Sequence, residues 1–393
     1  MPAAVVFILF VICLIIAIPV SIALTIASVL PGAFDPSFTA SGQFVIRSML
    51  GGIDSFPLLA VPMFVLSGII MARGGISKKL FDVFSYFLGN LTAGLPCAVI
   101  VTCLFYGAIS GSGPATVAAV GSMTIPILIE LGYDKDFSAA IVAVAGGLGV
   151  IIPPSIPFIM FGSASGESVS DLFIAGIIPG LLKVLKESFW ALLSPVIILG
   201  CIYSGIASPT EAAVISVFYA LIVSLFIYKT MTFKDIWPAL VEGVRTYAPI
   251  MFILAASIAF SRVLTLMQIP QMVSTWILTH FTNKIVLLLV INVFLLIVGM
   301  VMDTTPAILI LTPILLPIVT AVGMNPIHFG IMMVVNLAIG FVTPPIGVNL
   351  FVASSLTDIP IMRISKHAMP MIGYFLVALL LITFIPAISL ALI

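Results

Sequence analysis

The sequence predicts an all-α polytopic membrane protein that contains an internal repeat with re-entrant hairpins and broken helices. Three observations predict this fold: an extreme composition, apolar runs of membrane-spanning length, and prolines that recur at a fixed spacing. The chain of 393 residues is 62% hydrophobic and only 7% charged, and its mean hydropathy is +1.37. A soluble domain is about half apolar and about 25% charged, and one bilayer span needs about 20 apolar residues. The chain therefore accommodates roughly ten spans.

Ten apolar runs are candidate membrane spans, and four shorter segments are bounded by Pro or Gly. The ten runs lie near 3–30, 56–72, 94–110, 137–152, 188–206, 211–228, 248–267, 285–302, 328–343 and 371–393. The four shorter segments, which are typical of re-entrant hairpins or half-helices, lie near 114–131, 155–166, 306–322 and 345–356. The first run lacks the basic start of a cleavable signal peptide, so we expect it to be retained as a span.

Basic residues occur in four clusters, which mark candidate cytoplasmic loops because positive charge is retained on that side of the membrane. The clusters are Arg73 with Lys78 and Lys79, Lys183 with Lys186, Lys229 with Lys234, and Arg363 with Lys366. The orientation of the N-terminus stays open.

The same composition excludes several classes of function. Lys and Arg total 14, as do Asp and Glu, so there is no basic surface for a nucleic acid. The four cysteines lie in apolar stretches without the spacing of a zinc or redox site, and the three histidines lie far apart. No Ser/His or paired Asp constellation sits on adjacent spans. We therefore expect no transition metal, no organic cofactor, no nucleic-acid partner and no enzymatic activity.

Prolines and glycines of the first half recur in the second half in one register. Pro57 and Pro114 recur 192 residues later (249 − 57 and 306 − 114) as Pro249 and Pro306. One residue is then lost, and the later pairs are Pro126 and Pro317, Gly132 and Gly323, Gly149 and Gly340, Pro153–Pro154 and Pro344–Pro345, and Pro179 and Pro370. So many pairs in one register predict an internal repeat.

Each repeat contains a Pro-Pro pair inside an apolar segment, at about 149–155 and about 340–347. Proline removes a backbone donor and disfavours helix in the residue before it, so a helix breaks at each point. Broken backbone at membrane depth is tolerated only where it faces protein, a water-filled cavity or a ligand. Freed carbonyl groups suit a hard cation, and helix N-termini suit an anion. The pattern therefore favours a transport site with alternating access over a channel.

Five motifs are more specific than the composition. They are DSFPLLAVPMFVLSG at 54–68, GSGPATVAAVGSMTIP at 111–126, GVIIPPSIPFI at 149–159, SPTEAA at 208–213 and DTTPAILILTPILLP at 303–317. These residues resemble the large membrane (M) subunit of tripartite ATP-independent periplasmic (TRAP) transporters. The resemblance covers nearly the whole chain, and the two hairpin motifs together are specific.

The resemblance implies a sodium-driven secondary transporter of the bacterial cytoplasmic (inner) membrane, with two inverted-topology repeats and an elevator-type mechanism. Na⁺ would be the coupling ion, and the substrates would be organic anions with a carboxylate, such as sialic acid or C4-dicarboxylates. The implied partners are a small membrane subunit and a soluble periplasmic substrate-binding protein, besides membrane lipids. The alternative is a self-sufficient sodium-coupled carboxylate symporter that needs no soluble protein.

The repeat divides the chain into four parts. These are an N-terminal scaffold span and connector (1–53), a first repeat (54–182) with its hairpin at about 111–131, scaffold spans (183–245), and a second repeat (246–393) with its hairpin at about 303–322. The first repeat ends early, since only Gly-Leu-Leu follows Pro179 before charged residues. Either the chain carries a deletion, or a segment is missing between Leu182 and Lys183. We favour the second alternative, which predicts a Cα separation there well above the about 3.8 Å of a trans peptide.

The hairpin tips and helix breaks supply the candidate ligands. For sodium we expect oxygen atoms of Ser110, Ser112, Gly149, Ile151, Pro154, Thr304, Thr305, Gly340, Val342 and Pro345. For the substrate anion we expect contacts from Ser112, Gly113, Pro114, Ser155, Asp303, Thr305, Pro306 and Asn349. Asp303 either neutralises a bound cation or caps the hairpin helix. Glu211 is predicted to cap the helix that follows Ser-Pro-Thr.

Overall fold

The computed structural model describes residues 3–16, 18–34, 38, 40–89, 93–176, 197–280, 283–344, 347–391 and 393. The helices are α1 (Ala3–Ile15), α2 (Val20–Phe34), α3 (Gly42–Ile53), α4 (Ala60–Arg73), α5 (Ile76–Leu88), α6 (Gly94–Ser110), α7 (Gly113–Glu130), α8 (Lys135–Leu148), α9 (Ile156–Ser165), α10 (Val169–Ala175), α11 (197–203), α12 (Pro209–Ile222), α13 (Phe233–Leu266), α14 (Ile269–His280), α15 (Lys284–Val301), α16 (Thr304–Ala321), α17 (Pro326–Gly340), α18 (Val348–Thr357), α19 (Ile361–Phe384) and α20 (Ala387–Leu390). Seven helical segments are long and apolar enough to cross a membrane, and the described residues contain no β-strand. The predicted all-α polytopic fold is confirmed.

The starts of α12 and α13 are fixed by capping boxes. The Ser208 hydroxyl accepts from the Glu211 amide at 3.3 Å, and the Glu211 carboxylate accepts from the Ser208 amide at 2.8 Å. Thr232 and Asp235 form the same arrangement before α13. Reciprocal bonds of this kind satisfy helix donors that otherwise lack partners. The predicted capping role of Glu211 is therefore confirmed.

The two repeats contain the same helices in the same order. In the first repeat α6, α7, α8 and α9 follow one another, and at the repeat spacing they recur as α15, α16, α17 and α18. α8 ends at Leu148 before α9 begins at Ile156, and α17 ends at Gly340 before α18 begins at Val348. Both Pro-Pro segments thus interrupt a helix, as predicted.

Each repeat packs the helix that follows its break against the other repeat. α9 contacts α16 and α17 of the second repeat, and α18 contacts α7 and α8 of the first. The next helices follow the same rule, since α10 contacts α17 and α19 contacts α8. This reciprocal exchange relates the repeats by approximate two-fold symmetry.

The repeats run in opposite directions through the fold. α4 opens the first repeat, and its counterpart at the repeat spacing is the second half of α13. Gly52, in α3 and eight residues before α4 begins, lies against Ile258, whereas Arg73 at the end of α4 contacts Glu242. α4 and α13 are therefore antiparallel where they meet. Equivalent helices of opposite direction define inverted-topology repeats, as predicted.

The helices sort into two groups that meet along one junction. The scaffold group comprises α1–α4, α12 and α13, in which α4 packs on α12 and α13 while α13 packs on α2 and α3. The hairpin group comprises α6–α10 and α15–α19. α5 lies against α6, and α14 lies against α16. The two groups touch where α4 meets α6 and α9 and where α13 meets α16.

Some predictions fall outside the described residues. The join between Leu182 and Lys183, with its expected Cα gap, lies within 177–196. Pro345, one of the predicted sodium residues, lies within 345–346. The four-part division of the chain with boundaries at residues 53, 182 and 245 stays a prediction.

Candidate functional site

A cavity of about 400 Å³ lies at the junction between the scaffold group and the hairpin group. On the hairpin side its wall includes the first tip (110–115), the second tip (303–305) and residues beside both breaks. On the scaffold side it is lined by one face of α4 and by α13. The fold thus brings to one place two tips that lie 191 residues apart in sequence (303 − 112).

The first tip is a tight turn between α6 and α7. Gly111 has φ +64°, a conformation that favours glycine, and Ser112 is the N-cap of α7, with its Oγ 3.5 Å from the amide nitrogen of Ala115. Behind the tip, the Thr116 hydroxyl donates to the Ser112 carbonyl oxygen at 2.8 Å. The Ser110 hydroxyl lies 3.1 Å from the Thr116 hydroxyl. These hydrogen bonds connect the tip to the first turn of α7.

The second tip is capped by an acidic residue. Asp303 occupies the position equivalent to Ser112, and its Oδ1 accepts from the Thr305 amide at 3.2 Å and from the Thr304 hydroxyl at 3.2 Å. The capping interpretation of Asp303 is therefore confirmed. Thr304 and Thr305 are buried, whereas Asp303 is exposed to the cavity. Its carboxylate thus also faces space that a ligand can enter.

Two helices begin in the cavity wall. α7 starts at Gly113 and α16 starts at Thr304, and both residues line the cavity. The first turn of a helix carries unpaired amide groups and a partial positive charge. The two starts together favour an anion in the cavity, and the Asp303 carboxylate offsets part of this charge at the second one.

The residues of the first break are held by their own segment. The Ser155 hydroxyl donates to the Val150 carbonyl oxygen at 2.5 Å, and Ser155 is fully buried. This bond satisfies a carbonyl that the broken helix leaves free. The hydroxyl therefore does not face the cavity, although Ser155 was predicted to contact the substrate. Pro306 is likewise buried in the first turn of α16 and does not reach the cavity wall.

Gly149 and Gly340 lie at close helix crossings. A Cβ on Gly149 would lie 2.7 Å from the Cα of Gly107, and a Cβ on Gly340 would lie 2.4 Å from the carbonyl carbon of Gly299. Gly107 and Gly299 are themselves 192 residues apart (299 − 107), so the two crossings are equivalent in the repeat. Glycine is needed here because backbone meets backbone where α6 crosses α8 and α15 crosses α17.

Asn349 reaches from the second repeat to the back of the first tip. Its Nδ2 donates to the carbonyl oxygen of Ala143 at 3.0 Å, and the side chain is fully buried. Among the described residues its Oδ1 has no hydrogen-bond partner. A Cβ on Gly113 would lie 3.2 Å from this oxygen and 3.2 Å from the Gly146 carbonyl oxygen. Asn349 is therefore placed behind the tip and not on the cavity wall where a substrate contact was predicted.

The predicted ligand residues divide into two sets. Those on the cavity wall are Ser110, Ser112, Gly113, Pro114, Asp303, Thr304 and Thr305. Those not brought to the wall are Gly149, Ile151, Pro154, Ser155, Pro306, Gly340, Val342 and Asn349. The tips thus supply the polar side chains of the hairpin wall. Val150 and Phe341 of the two breaks also line the cavity, whereas the predicted break residues do not. The binding roles of all these residues stay predictions.

Sequence reasoning missed the charged part of the scaffold wall. Arg73 and Glu242 form an ion pair in the cavity wall, and Thr246 lies one turn further along α13. The sequence pattern places Arg73 only in a basic loop cluster. The two partners of the pair are 169 residues apart in sequence, so no local pattern connects them.

The fold and the cavity define a class of protein, a polytopic membrane permease whose inverted repeats share one ligand-sized cavity between their hairpin tips. The chain belongs to the family of the DctM component of tripartite ATP-independent periplasmic transporters, whose family model matches residues 7–186 and 181–388. It is therefore a transporter permease and not an enzyme, and it is a multi-pass protein of the bacterial inner membrane.

Individual relatives match most of the chain. It is 43% identical to the isethionate TRAP transporter permease protein DctMQ of Oleidesulfovibrio alaskensis, over 98% of this chain and 66% of that protein. It is 41% identical to the C4-dicarboxylate TRAP transporter large permease protein DctM of Pseudomonas aeruginosa, over 86% of each chain. It is 36% identical to the sialic acid TRAP transporter large permease protein SiaM of Vibrio cholerae, over 89% of each chain.

A solved structure supports the fold alone. The Alcanivorax borkumensis YdaH transporter superposes with a TM-score of 0.66 and 13% sequence identity, over 95% of this chain and 98% of that one.

Proposed function

We propose that the chain is the translocating subunit of a sodium-coupled, binding-protein-dependent importer that moves organic anions by alternating access. The observation that carries this proposal is the cavity in which the hairpin tips of two inverted repeats meet. Interrupted backbone at membrane depth is stable where it lines a ligand pathway, and paired interruptions in inverted repeats are typical of secondary transporters.

An acidic organic molecule suits the cavity. Its volume of about 400 Å³ lies within the range of small-molecule sites. The starts of α7 and α16 supply partial positive charge, and Ser112 and Thr305 supply hydroxyl groups. The relatives are named for isethionate, C4-dicarboxylates and sialic acid, and each of these carries an acidic group. We assign an organic anion as the substrate, with a carboxylate as the first choice.

Sodium suits the oxygen atoms around the tips. Behind the first tip, Asn349 Oδ1 is buried without a hydrogen-bond partner in the described part of the chain, and the absence of a side chain at Gly113 leaves space beside it. At the second tip, Thr304, Thr305 and Asp303 offer hydroxyl and carboxylate oxygens. A hard cation prefers such ligands, and an unpaired buried oxygen is costly without one. These residues would hold one sodium ion beside each tip.

Coupling follows from the position of these oxygens next to the helix starts. A cation beside a tip orders the cap residues and adds positive charge to a wall that already favours an anion. Without the cation, the oxygen atoms around the tip point toward one another with no positive charge between them. The anion then loses part of its binding surface. Sodium and substrate therefore bind with positive cooperativity, and each raises the affinity for the other by the same factor.

The two helix groups supply the moving parts of an alternating-access mechanism. The cavity lies against the end of α4, which carries Arg73 of a basic cluster. Because basic clusters are retained on the cytoplasmic side, we propose that the cavity faces the cytoplasm in this conformation. The hairpin group is held together by the exchange of α9 and α18 between repeats, whereas its junction with the scaffold group is limited to a few helices. Movement of the hairpin group along the scaffold group, as in an elevator, would expose the tips on the opposite side.

The test is uptake by proteoliposomes that contain this chain with the small membrane subunit of its own organism. Radiolabelled succinate, N-acetylneuraminate and isethionate are supplied with the matching binding protein, under an inward sodium gradient or an equal potassium gradient. We expect uptake of one of these anions only with sodium and only with the binding protein. Uptake that is unchanged by potassium replacement would refute the coupling. Saturable uptake without the binding protein would favour the self-sufficient symporter.

A further inference from the structure

The ion pair between Arg73 and Glu242 is the charged part of the scaffold wall. The Arg73 Nε donates to Glu242 Oε2 at 2.8 Å, and Nη2 donates to the same oxygen. The side chains are 39% and 48% exposed, and both residues line the cavity opposite the hairpin tips. The pair is therefore open to any molecule that occupies the cavity.

The pair leaves part of the arginine available. Both donors meet one carboxylate oxygen, so the two groups do not satisfy each other in the parallel two-bond arrangement that makes such pairs strong. A guanidinium has five N–H donors, and within the described part of the chain Arg73 makes no hydrogen bond other than these two. A partly exposed pair of this kind contributes little to stability. Its position in the cavity wall calls for another explanation.

We propose that Arg73 binds the acidic group of the substrate from the scaffold side, in exchange for Glu242. This inference rests on the proposed function, because it requires an organic anion in the cavity. Glu242 holds the guanidinium when the cavity is empty and competes for it when substrate is present. The competition weakens substrate binding in the conformation that opens to the cytoplasm and therefore favours release on that side. The planar fork of arginine matches a carboxylate in particular.

If the Arg73–Glu242 pair has only a structural role, the expected effect of substitutions on substrate affinity is different. If the contact only fastens α4 to α13, removing either charge breaks the same bond, and both substitutions change substrate affinity in the same direction. If Arg73 binds the substrate, removing Glu242 frees the arginine, whereas removing Arg73 abolishes the contact. The two substitutions then change the affinity in opposite directions.

The experiment measures the dissociation constant by calorimetry, with the full-length protein in lipid nanodiscs and saturating sodium. The probes are succinate, N-acetylneuraminate and isethionate, and the variants are titrated with the probe that binds the wild type most tightly. We expect Arg73→Gln to weaken binding about tenfold or more, as for loss of a charge-assisted hydrogen bond. We expect Glu242→Gln to strengthen binding about two- to fivefold, the range of an exposed ion pair.

Arg245→Gln is the matched control, because Arg245 lies on the same helix as Glu242 but does not line the cavity. Its dissociation constant should equal that of the wild type. Arg73→Lys, which keeps the charge and loses the fork, should give an intermediate value. If Arg73→Gln and Glu242→Gln shift the affinity in the same direction, the inference is wrong and the proposed function stands. If the wild type binds none of the three anions, the proposed function fails and the inference fails with it.

Discussion

Replacing Gly107 by alanine tests whether α6 and α8 cross as closely as the structure shows. A Cβ at this position would lie 2.2 Å from the Cα of Gly149, 2.8 Å from its carbonyl carbon and 2.9 Å from its carbonyl oxygen. All three are backbone atoms, so no side chain can rotate out of the way. Ordinary contacts of a Cβ begin at 3.4 Å, and the two backbones must therefore separate by about 1.2 Å (3.4 − 2.2).

The expected cost follows from this separation. Overpacking in a tightly packed interior costs about 1–3 kcal/mol, and Gly107→Ala should reach about 3 kcal/mol because backbone has to move. The distance from an added Cβ to its nearest atom is 2.4 Å for Gly340, 2.7 Å for Gly149 and 3.1 Å for Gly299. The loss of stability should decrease in that order, although Gly107 and Gly299 are equivalent in the repeat.

Gly373 on α19 is the matched control, since a Cβ there would meet nothing within 4 Å. Alanine is favoured over glycine inside a helix by about 0.5–1 kcal/mol, so Gly373→Ala should unfold at or above the wild-type temperature. The measurement is thermal unfolding of the five purified variants in one detergent. If Gly107→Ala unfolds at the same temperature as Gly373→Ala, the close crossing is refuted. A variant of Gly299 less stable than that of Gly107 would contradict the order.

Four further substitutions test the tips and the link between the repeats. Gly113→Ala fills the space beside Asn349 Oδ1, so the sodium concentration for half-maximal uptake should rise about tenfold or more. Its new Cβ would meet buried atoms at 3.2 Å, so the loss of stability should be smaller than that of Gly107→Ala. Thr304→Ala should weaken the sodium dependence of uptake more than it lowers the amount of folded protein, and wild-type sodium dependence would place the sites elsewhere. Arg363 on α19 and Asp136 on α8 form an ion pair that links the two repeats. Arg363→Gln should lower the unfolding temperature more than Asp136→Asn, because the Asp136 side chain is 9% exposed against 66% for Arg363, and the first change leaves a buried carboxylate unpaired. Equal losses in thermal unfolding would count against this reasoning.

The architecture could be predicted from prolines and capping residues because their effects on the backbone are local. The Pro153–Pro154 pair interrupts a helix whatever packs around it. Ser112 and Asp303 stand at cap positions before two hairpin helices, and Glu211 follows Ser-Pro-Thr in a capping box. The repeat register then placed both tips at equivalent positions. The fold and the tip half of the site were therefore accessible from sequence.

The remaining part of the site depends on contacts between distant helices. Asn349 and its partner Ala143 are 206 residues apart, and no periodicity relates them. Ser155 lies beside a break, as a ligand would, but its hydroxyl is used by the Val150 carbonyl oxygen of the same segment. A polar residue next to broken backbone can face a ligand or satisfy the break itself. Only the packing decides which of the two occurs.

The exchange of helices between the repeats has a consequence for how the chain is synthesised. α8 ends at Leu148 and α18, which packs on it, begins at Val348, so the ribosome adds roughly two hundred residues (348 − 148) before the partner exists. Contacts this distant along the chain slow folding and leave apolar and polar surfaces uncovered in the meantime. The first repeat is therefore incomplete in the bilayer until the second repeat has been synthesised. A repeat that is expressed by itself lacks the helices of the other repeat that pack into its interior.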